Sequence, residues 1–213
     1  MYYKTETKMK KIATTLLLLL VFTIQALAAN NSLNAVRALA KRIMPNHADS
    51  FEFKLMKQQN KKDVFCLQQN GDKIVVSGNN ANAMAMGLNH YLNNYCHTTV
   101  SWYAEDAVVM PAQLPKVERK ITVQARVDRR FFNYCTYGYT MPFFNWKEWE
   151  RVIDWMALNG VNMPLAITGQ ETVWYNVWKQ LGMSDSEIRS YFTGPAYVPW
   201  HRMANIDGWN GPL

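Results

Sequence analysis

Residues 129–200 constrain the fold of this chain more than any other segment. They begin with an aromatic strand predicted over 131–135, continue into a strong helical pattern, and reach an apolar strand predicted over 161–167. A second helix is predicted to start near Gln170. Strand, helix, strand and helix at this spacing are typical of βαβ units and a parallel sheet. The second strand is almost wholly apolar, as expected of a strand that is buried on both faces.

The first helix of this segment has a candidate cap at each end. Asn145 is the candidate N-cap, and Asn159 with Gly160 is the candidate C-terminal cap. Glu150 and Asp154 lie one turn apart on this helix. Paired carboxylates occur in acid–base sites, but for this pair we favour a solvated helix face. The apolar face is predicted to contain Trp149, Ile153, Met156 and Leu158.

The preceding residues, 30–123, are predicted to form a separate small α/β domain, which fits the one or two domains expected of 213 residues. Its pattern comprises a helix ending at Pro45, strands over 51–55 and 63–68, a hairpin at Asn70-Gly71, a helix from Asn80 to about residue 94, and strand-like segments at 100–103 and 121–127. The second domain is assigned to 124–213. No residue of the first domain has the spacing of a metal site, phosphate loop or nucleophile motif, so its predicted role is scaffolding.

The N-terminus has the pattern of a signal peptide over residues 1–28. Lys8, Lys10 and Lys11 precede an apolar core over 16–24, and Ala26-Leu27-Ala28 fits a small-residue cleavage site. An uncleaved anchor is the alternative, but this core is short for a membrane span of about 20 residues. We therefore expect export to the periplasm or the extracellular space, with no stable membrane span after cleavage. Whether translation starts at Met1 or Met9 stays open.

Charge and cysteine content exclude few functions. The formal net charge is +7, and the signal region contributes three of these charges. There is no clustered basic stripe of the kind that nucleic-acid binding needs, so no nucleic-acid partner is expected. No cofactor or metal is expected either. The three cysteines are Cys66, Cys96 and Cys135. We expect packed thiols, and the pairing of Cys66 with Cys96 stays open.

Candidate site residues lie on or directly after the two predicted parallel strands. Asn133 and Cys135 share one face of the first strand, and Tyr139 comes shortly after it. Glu171 belongs to a Thr-Gly-Gln-Glu loop directly after the second strand, where parallel folds place their sites. The alternatives are a buried packing role for Cys135 and a first-turn helix role for Glu171, which the helix dipole favours.

Two further features lie near the end of the chain. A third helix is predicted after a cap at Ser184 or Asp185, and residues 193–203 are predicted as a loop rich in proline and aromatic residues. Trp200 in this loop is a candidate for stacking on a sugar ring. Seven of the eight tryptophans lie from Trp146 onward, which suits a sugar cleft but equally a core. His201 is interpreted as a hydrogen-bonded packing residue.

The sequence resembles glycoside hydrolase family 89, the alpha-N-acetylglucosaminidases. The resemblance covers about 80 residues and consists of the motifs NYCT from Asn133, WERVIDWMALNGVN from Trp149, GQE from Gly169, FTGPA from Phe192, WHRMAN from Trp200 and WNGPL from Trp209. It implies a small N-terminal α/β domain followed by the first strand–helix units of an incomplete (β/α)8 TIM barrel. It also implies sugar contacts at Asn133, Cys135, Tyr139, Trp200 and Glu171. His201 stands where some relatives have glycine.

The implied activity is retaining exo-hydrolysis of terminal alpha-linked N-acetylglucosamine from glycans by two glutamates. In the family both glutamates come from later barrel strands. We therefore expect this 213-residue polypeptide to be the inactive, poorly soluble N-terminal part of an exported enzyme. The alternatives are a non-catalytic carbohydrate-binding module and an interaction module whose tryptophans are contact anchors.

Overall fold

The computed structural model describes residues 27–57, 61–104, 108–132, 141–165, 168–192, 194 and 197–202. The chain divides into two compact units. The first consists of Met1–Asp128 with Ala157–Gly160, and the second of Arg129–Met156 with Val161–Leu213. The predicted domain limits, 30–123 and 124–213, stay a prediction. The first unit includes Ala157–Gly160, which lies about 30 residues beyond its main segment in sequence. A single boundary between two consecutive domains does not predict this.

The first unit is a four-stranded sheet with helices α1 and α2. The strand order is β1-β3-β2-β4, in which β1 runs parallel to β3 while β2 runs antiparallel to both β3 and β4. The elements are α1 (described over 27–43), a 3-10 turn at Ala48–Ser50, β1 (Phe51–Leu55), β2 (Val64–Asn70), β3 (Lys73–Gly78), α2 (Ala81–Asn94) and β4 (Ile121–Gln124).

Local sequence signals fix the middle of this unit. Asn70 pairs with Lys73 across the β2–β3 hairpin, and Gly71 adopts a φ of +57°, the left-handed conformation that two-residue hairpin turns require. Asn80 is the N-cap of α2, where its side-chain oxygen accepts a hydrogen bond from the backbone N–H of Ala83 at 2.8 Å. The predicted hairpin and helix are confirmed.

The core of the first unit lies between α1, α2 and one face of the sheet. Leu67, Val76, Leu88 and Tyr91 are fully buried there. The Tyr91 hydroxyl donates a hydrogen bond to the carbonyl oxygen of Pro115 at 2.6 Å, and burial raises the pKa of this phenol far above its usual value. The buried hydroxyl therefore has a partner and stays neutral.

Two of the three cysteines lie in the described part of this unit, and both have free thiols. Cys66 is buried in β2, and Cys96 is half-buried after α2. Burial also raises the pKa of the Cys96 thiol. These two are packed thiols, as predicted. Cys135 lies outside the described residues.

The strand predicted over 100–103 is not formed. The Ser101 hydroxyl oxygen accepts hydrogen bonds from the backbone N–H groups of Tyr103 at 3.1 Å and Ala104 at 3.2 Å. This local bonding offers the backbone an alternative to a sheet ladder, so a bend replaces the strand. The segment predicted over 121–127 forms a shorter strand, β4.

The second unit alternates strands and helices. Its described elements are β5 (Phe131–Phe132), α3 (Trp146–Leu158, whose last two residues belong to the first unit), β6 (Met163–Pro164), α4 (Gln170–Gln180), α5 (Asp185–Tyr191) and α6 (Val198–Arg202). β5 and β6 pair in parallel, with Phe131 opposite Met163 and Phe132 opposite Pro164. A parallel pair joined by a helix is one βαβ unit, so the predicted topology is confirmed.

The expectation that the second strand of this unit is buried on both faces is wrong for β6. Both of its residues are exposed, and Met163 is 39% exposed. β6 belongs to a two-stranded sheet in which β5 is its one hydrogen-bonded neighbour among the described strands. A sheet this small cannot cover the apolar side chains of its strands.

Both predicted caps of α3 are present. The Asn145 side chain accepts hydrogen bonds from the N–H groups of Lys147 at 2.9 Å and Glu148 at 3.3 Å, while Glu148 accepts one from the Asn145 N–H. At the other end, Gly160 adopts a φ of +75°, and the N–H of Val161 bonds the Met156 carbonyl at 2.8 Å. This pattern is a Schellman cap.

The buried face of α3 agrees with the prediction at Met156 and Leu158 and differs from it at Ile153. Val152 is fully buried, whereas Ile153 is 45% exposed. Asp154 is only 6% exposed, so the solvated-face interpretation of Glu150 and Asp154 is wrong for Asp154. Successive helix residues are 100° apart, so packing selects between neighbouring positions that the pattern alone cannot separate.

No helix in the described part of the chain is long and apolar enough to span a membrane.

Candidate functional site

The carboxyl ends of β5 and β6 form one edge of the second unit. Because the two strands are parallel and in register, both chains leave the sheet on the same side. At the opposite end of the pair, the Arg130 carbonyl oxygen accepts hydrogen bonds from the backbone N–H groups of Asn162 and Met163, each at 3.2 Å. The Arg130 N–H donates to the Asn162 side-chain oxygen at 2.8 Å. In open and closed parallel sheets this carboxyl edge is where ligands bind.

Three of the predicted site residues cannot be placed. Asn133, Cys135 and Tyr139 follow β5 in sequence and lie outside the described residues. Their predicted role at this edge stays a prediction.

The loop after β6 is built around Gly169. This glycine adopts a φ of +86° and precedes the first turn of α4. A side chain at Gly169 would meet open space, so its backbone conformation rather than crowding explains the glycine. Glu171 follows as a half-buried residue of the first helical turn. Its role in sugar contact stays a prediction.

Two buried polar atoms of this loop have no hydrogen-bond partner in the part of the chain that the structure describes. The Thr168 hydroxyl oxygen and the Gln170 amide nitrogen are buried, and neither has a hydrogen-bond partner among the described residues. Leaving a buried polar group unpaired costs about 1–3 kcal/mol. Such a cost is typical of a site that another group completes, whether a ligand or further polypeptide. Sequence reasoning selected this loop, but only burial distinguishes these two atoms.

Helices α4 and α5 are held together by a polar cluster. The Tyr175 hydroxyl donates to the Asp185 carboxylate, which also accepts a 2.8 Å bond from Arg189. These bonds, first from Tyr175 and then from Arg189, lower the pKa of Asp185 below its usual value. Ser184 caps α5 through a capping box with Glu187, which settles the choice between Ser184 and Asp185.

An aromatic cluster fills the space between α4, α5 and α6. Trp178 stacks on Phe192 with ring centroids 5.5 Å apart, and Trp174 stacks on Phe192 at 6.0 Å. The cluster consists of Trp174, Trp178, Tyr191, Phe192 and His201. Trp174 and Trp178 therefore serve packing, so the sugar-cleft interpretation applies to fewer residues than the number of tryptophans suggests.

The segment predicted as a loop over 193–203 contains the short helix α6. A proline in the first turn of a helix loses no intrahelical hydrogen bond, so Pro199 does not prevent it. Trp200 lies on the outside of α6 and is 42% exposed, whereas His201 points inward and is 3% exposed. The structure does not bear out a hydrogen-bonded His201, because neither ring nitrogen has a partner among the described residues.

The described residues contain no group of three or more potential ligands that could hold a metal ion. The described side chains of the loop after β6 are a hydroxyl at Thr168, an amide at Gln170 and a carboxylate at Glu171. This set suits hydrogen bonding to a polar ring.

Comparison with known proteins assigns both units to one family. The model described as "Alpha-N-acetylglucosaminidase (NAGLU) N-terminal domain" matches residues 34–116, and "Alpha-N-acetylglucosaminidase (NAGLU) tim-barrel domain" matches residues 129–213. Alpha-N-acetylglucosaminidase from Homo sapiens is 38% identical over 185 residues, which is 84% of this chain and 25% of that protein. The chain belongs to the alpha-N-acetylglucosaminidase family, glycoside hydrolase family 89.

Solved structures of family 89 agree with this assignment. A Clostridium perfringens family 89 glycoside hydrolase bound to PUGNAc has a TM-score of 0.79 and 37% identity, covering 89% of this chain and 22% of that one. A second structure is a variant of the Clostridium perfringens enzyme in which two glutamates are replaced by glutamine. It is bound to its substrate GlcNAc-alpha-1,4-galactose. Its TM-score is 0.81 at 38% identity, and the match covers 89% of this chain and 22% of that one.

The predicted fold class is therefore confirmed: a small α/β domain followed by the first strand–helix units of an incomplete family 89 barrel. The chain spans about a quarter of the length of the curated relative that it matches. β5 and β6 are the strands that the structure describes in the region matched by the barrel model, residues 129–213. The loop after β6 lies at their carboxyl edge.

Proposed function

We propose that this chain is the N-terminal part of an alpha-N-acetylglucosaminidase, a retaining glycoside hydrolase that removes terminal alpha-linked N-acetylglucosamine from glycans. The observation that supports it most is the 0.81 TM-score, at 38% identity, to a relative bound to GlcNAc-alpha-1,4-galactose. That similarity covers 89% of this chain, including residues from both units. The alternatives of a carbohydrate-binding or interaction module lack a comparable observation.

The role proposed for this part of the enzyme is to build one wall of the sugar site. Asn133, Cys135 and Tyr139 are proposed to contact the sugar from the end of the first strand. Glu171 and Trp200 are proposed to do so from the second strand–helix unit. Support comes from the shared carboxyl edge of β5 and β6 and from the exposed indole of Trp200. An indole face stacks on the apolar face of a sugar ring, and short polar groups orient it.

The two reacting glutamates are proposed to come from polypeptide outside this chain. A retaining mechanism needs two carboxyl groups about 5–5.5 Å apart on either side of the scissile bond. The resemblance places both of them on later barrel strands. This chain is then expected to hold the sugar only weakly, because a partial wall buries little of a ligand's surface.

An assay of the purified 213-residue chain tests this division of roles. Incubated with an aryl alpha-N-acetylglucosaminide, the chain is expected to release no aryl alcohol above the rate of the buffer blank. Clear hydrolysis that survives further purification would contradict the proposal that the reacting acids lie elsewhere.

We also propose that the protein is exported and that residues 1–28 are removed as a signal peptide. The support is the lysine-rich start, the apolar core over 16–24 and the small residues at Ala26 and Ala28. Mass spectrometry of the protein recovered from its native host is expected to give an N-terminus at Ala29. An intact Met1 or Met9 would overturn this proposal.

A further inference from the structure

His201 occupies an unusual position for a histidine. Its ring is 3% exposed, and its contacts are with aromatic rings from two helices. The ring centroid lies 4.9 Å from that of Tyr191 at 87°, 5.5 Å from Phe192 and 5.8 Å from Trp174. Neither ring nitrogen has a hydrogen-bond partner among the described residues. The described surroundings of His201 therefore pack against the faces and edges of its ring and offer no hydrogen bond to its two nitrogens.

Helix α6 depends on this ring for its position. A helix of five residues has no stability of its own in water, so contacts with neighbouring elements must hold it. Val198 and His201 are three residues apart, share one face of α6 and are both buried. The His201 ring contacts Trp174 of α4, Tyr191 of α5 and Phe192 directly after α5.

The residue on the outer side of the same helix is Trp200, whose indole is 42% exposed. Because α6 is short and buries both Val198 and His201, a shift of the His201 ring is expected to move the helix and, with it, the Trp200 indole. Trp200 and His201 are adjacent in sequence, so a displacement of His201 can reach Trp200 directly through the backbone.

We propose that His201 is a positioning residue: its ring packs against the aromatic rings of α4 and α5, holds α6 in place and so fixes the orientation of the Trp200 indole. This deepens the proposed function, because Trp200 is proposed there to contact the sugar. The geometry makes a distinctive prediction. A phenylalanine at position 201 keeps a ring of similar shape and removes two unpartnered polar atoms, and replacing such atoms by apolar ones is neutral or stabilising. An alanine leaves a hole at the centre of the aromatic cluster.

The test uses the protein made from the whole reading frame that contains these 213 residues, labelled with 5-fluorotryptophan and observed by 19F NMR. The Trp200 resonance is identified by its loss in Trp200→Phe. In His201→Ala this resonance is expected to shift or broaden, while the Trp146 resonance, assigned in the same way, stays in place. In His201→Phe the Trp200 resonance is expected to stay near its wild-type position, and the thermal midpoint Tm is expected not to fall. Val177→Ala, on the exposed side of α4, is the control and is expected to leave Trp200 unchanged.

Two results would overturn the inference. One is an unchanged Trp200 resonance in His201→Ala, which would show that α6 does not depend on the ring. The other is a disturbance in His201→Phe as large as in His201→Ala, which would show that the nitrogens are needed. If His201→Ala fails to fold, Tyr191→Leu replaces it. That variant removes the closest ring contact from a half-exposed position, and the same shift of Trp200 is expected.

The same spectra separate this inference from the proposed function. Titration with N-acetylglucosamine is expected to shift the wild-type Trp200 resonance, and to shift it less at equal sugar concentration in His201→Ala. If the sugar leaves wild-type Trp200 unmoved while His201→Ala displaces it, the sugar contact of Trp200 is wrong and the positioning role of His201 stands.

Discussion

Replacing Leu158 by alanine removes a side chain at the end of α3 that belongs to the hydrophobic core of the first unit. Leu158 is 1% exposed and belongs to the same core as Leu88 and Tyr91, although almost 70 residues separate it in sequence from Leu88. The Schellman cap at Gly160 ends the helix directly after it. The first unit should therefore lose stability when this distant residue is truncated.

The size of the loss follows from the burial of Leu158. The substitution removes three carbon atoms, which at about 0.8 kcal/mol for each buried carbon amounts to about 2.4 kcal/mol of lost transfer free energy. The unfilled part of the cavity adds to this loss, and buried leucine-to-alanine changes cost about 2–5 kcal/mol overall. We expect about 3 kcal/mol, a large fraction of the stability of an ordinary domain.

Hydrogen exchange measured by mass spectrometry locates this loss. Peptides from β2, β3 and α2 should exchange faster in Leu158→Ala, by a factor of about 100 where exchange requires unfolding of the unit. Ile153→Ala is the matched control, because Ile153 lies on the same helix but is 45% exposed. It should change stability by no more than about 0.5 kcal/mol. Equal effects of the two variants on these peptides would refute the reasoning.

Three further predictions concern the first unit. Gly87→Ala should destabilise it by about 1–3 kcal/mol in urea titrations, because the added Cβ would lie 2.8 Å from the Val76 side chain and 3.2 Å from that of Phe65. Asn80→Ala should cost about 0.5–2 kcal/mol by removing the N-cap of α2, whereas Asn80→Ser should retain most of the stability. Burial lowers the pKa of His90, so the unfolded chain binds the proton more readily. Stability should therefore be insensitive to this residue well above pH 6.5 and should fall as the pH drops from about 6.5 through the folded pKa. His90→Gln should flatten the acid side of a pH–Tm profile, and an unchanged slope would exclude His90 as its cause.

Local signals predicted the elements whose geometry depends on a few adjacent residues. Asn80, Asn145 and Ser184 cap their helices, and Gly71 and Gly160 take the left-handed conformations that their turns require. These features are set by backbone sterics and hydrogen bonds within a few residues. They can therefore be recognised before any tertiary structure is known.

Features that depend on tertiary packing could not be predicted in the same way. Periodicity could not choose between Val152 and Ile153 as the buried residue, because both lie near the edge of the apolar stripe of α3. It could not show that Asp154 is buried, nor that Leu158 joins the core of the first unit. The exposure of β6 likewise follows from how few strands surround it, which its own sequence does not encode.

In the candidate site, too, some features could be predicted from the sequence and others depend on tertiary packing. Its place after the second strand followed from the parallel topology. The residues and the family resemblance predicted Glu171 and Trp200 as sugar contacts, and these roles stay a prediction. The unpartnered atoms of Thr168 and Gln170 emerged only from burial. The inward-facing ring of His201 also has no sequence signal, because a helix was not predicted over Val198–Arg202.

The most direct test of the account is the reaction catalysed by the protein made from the whole reading frame that contains these 213 residues. Its action on an aryl alpha-N-acetylglucosaminide can be followed by proton NMR, which distinguishes the two anomers of the released sugar. We predict that N-acetylglucosamine appears first as the alpha anomer and only later equilibrates with the beta anomer, as retention requires. Release of the beta anomer first, or no release at all, would contradict the account.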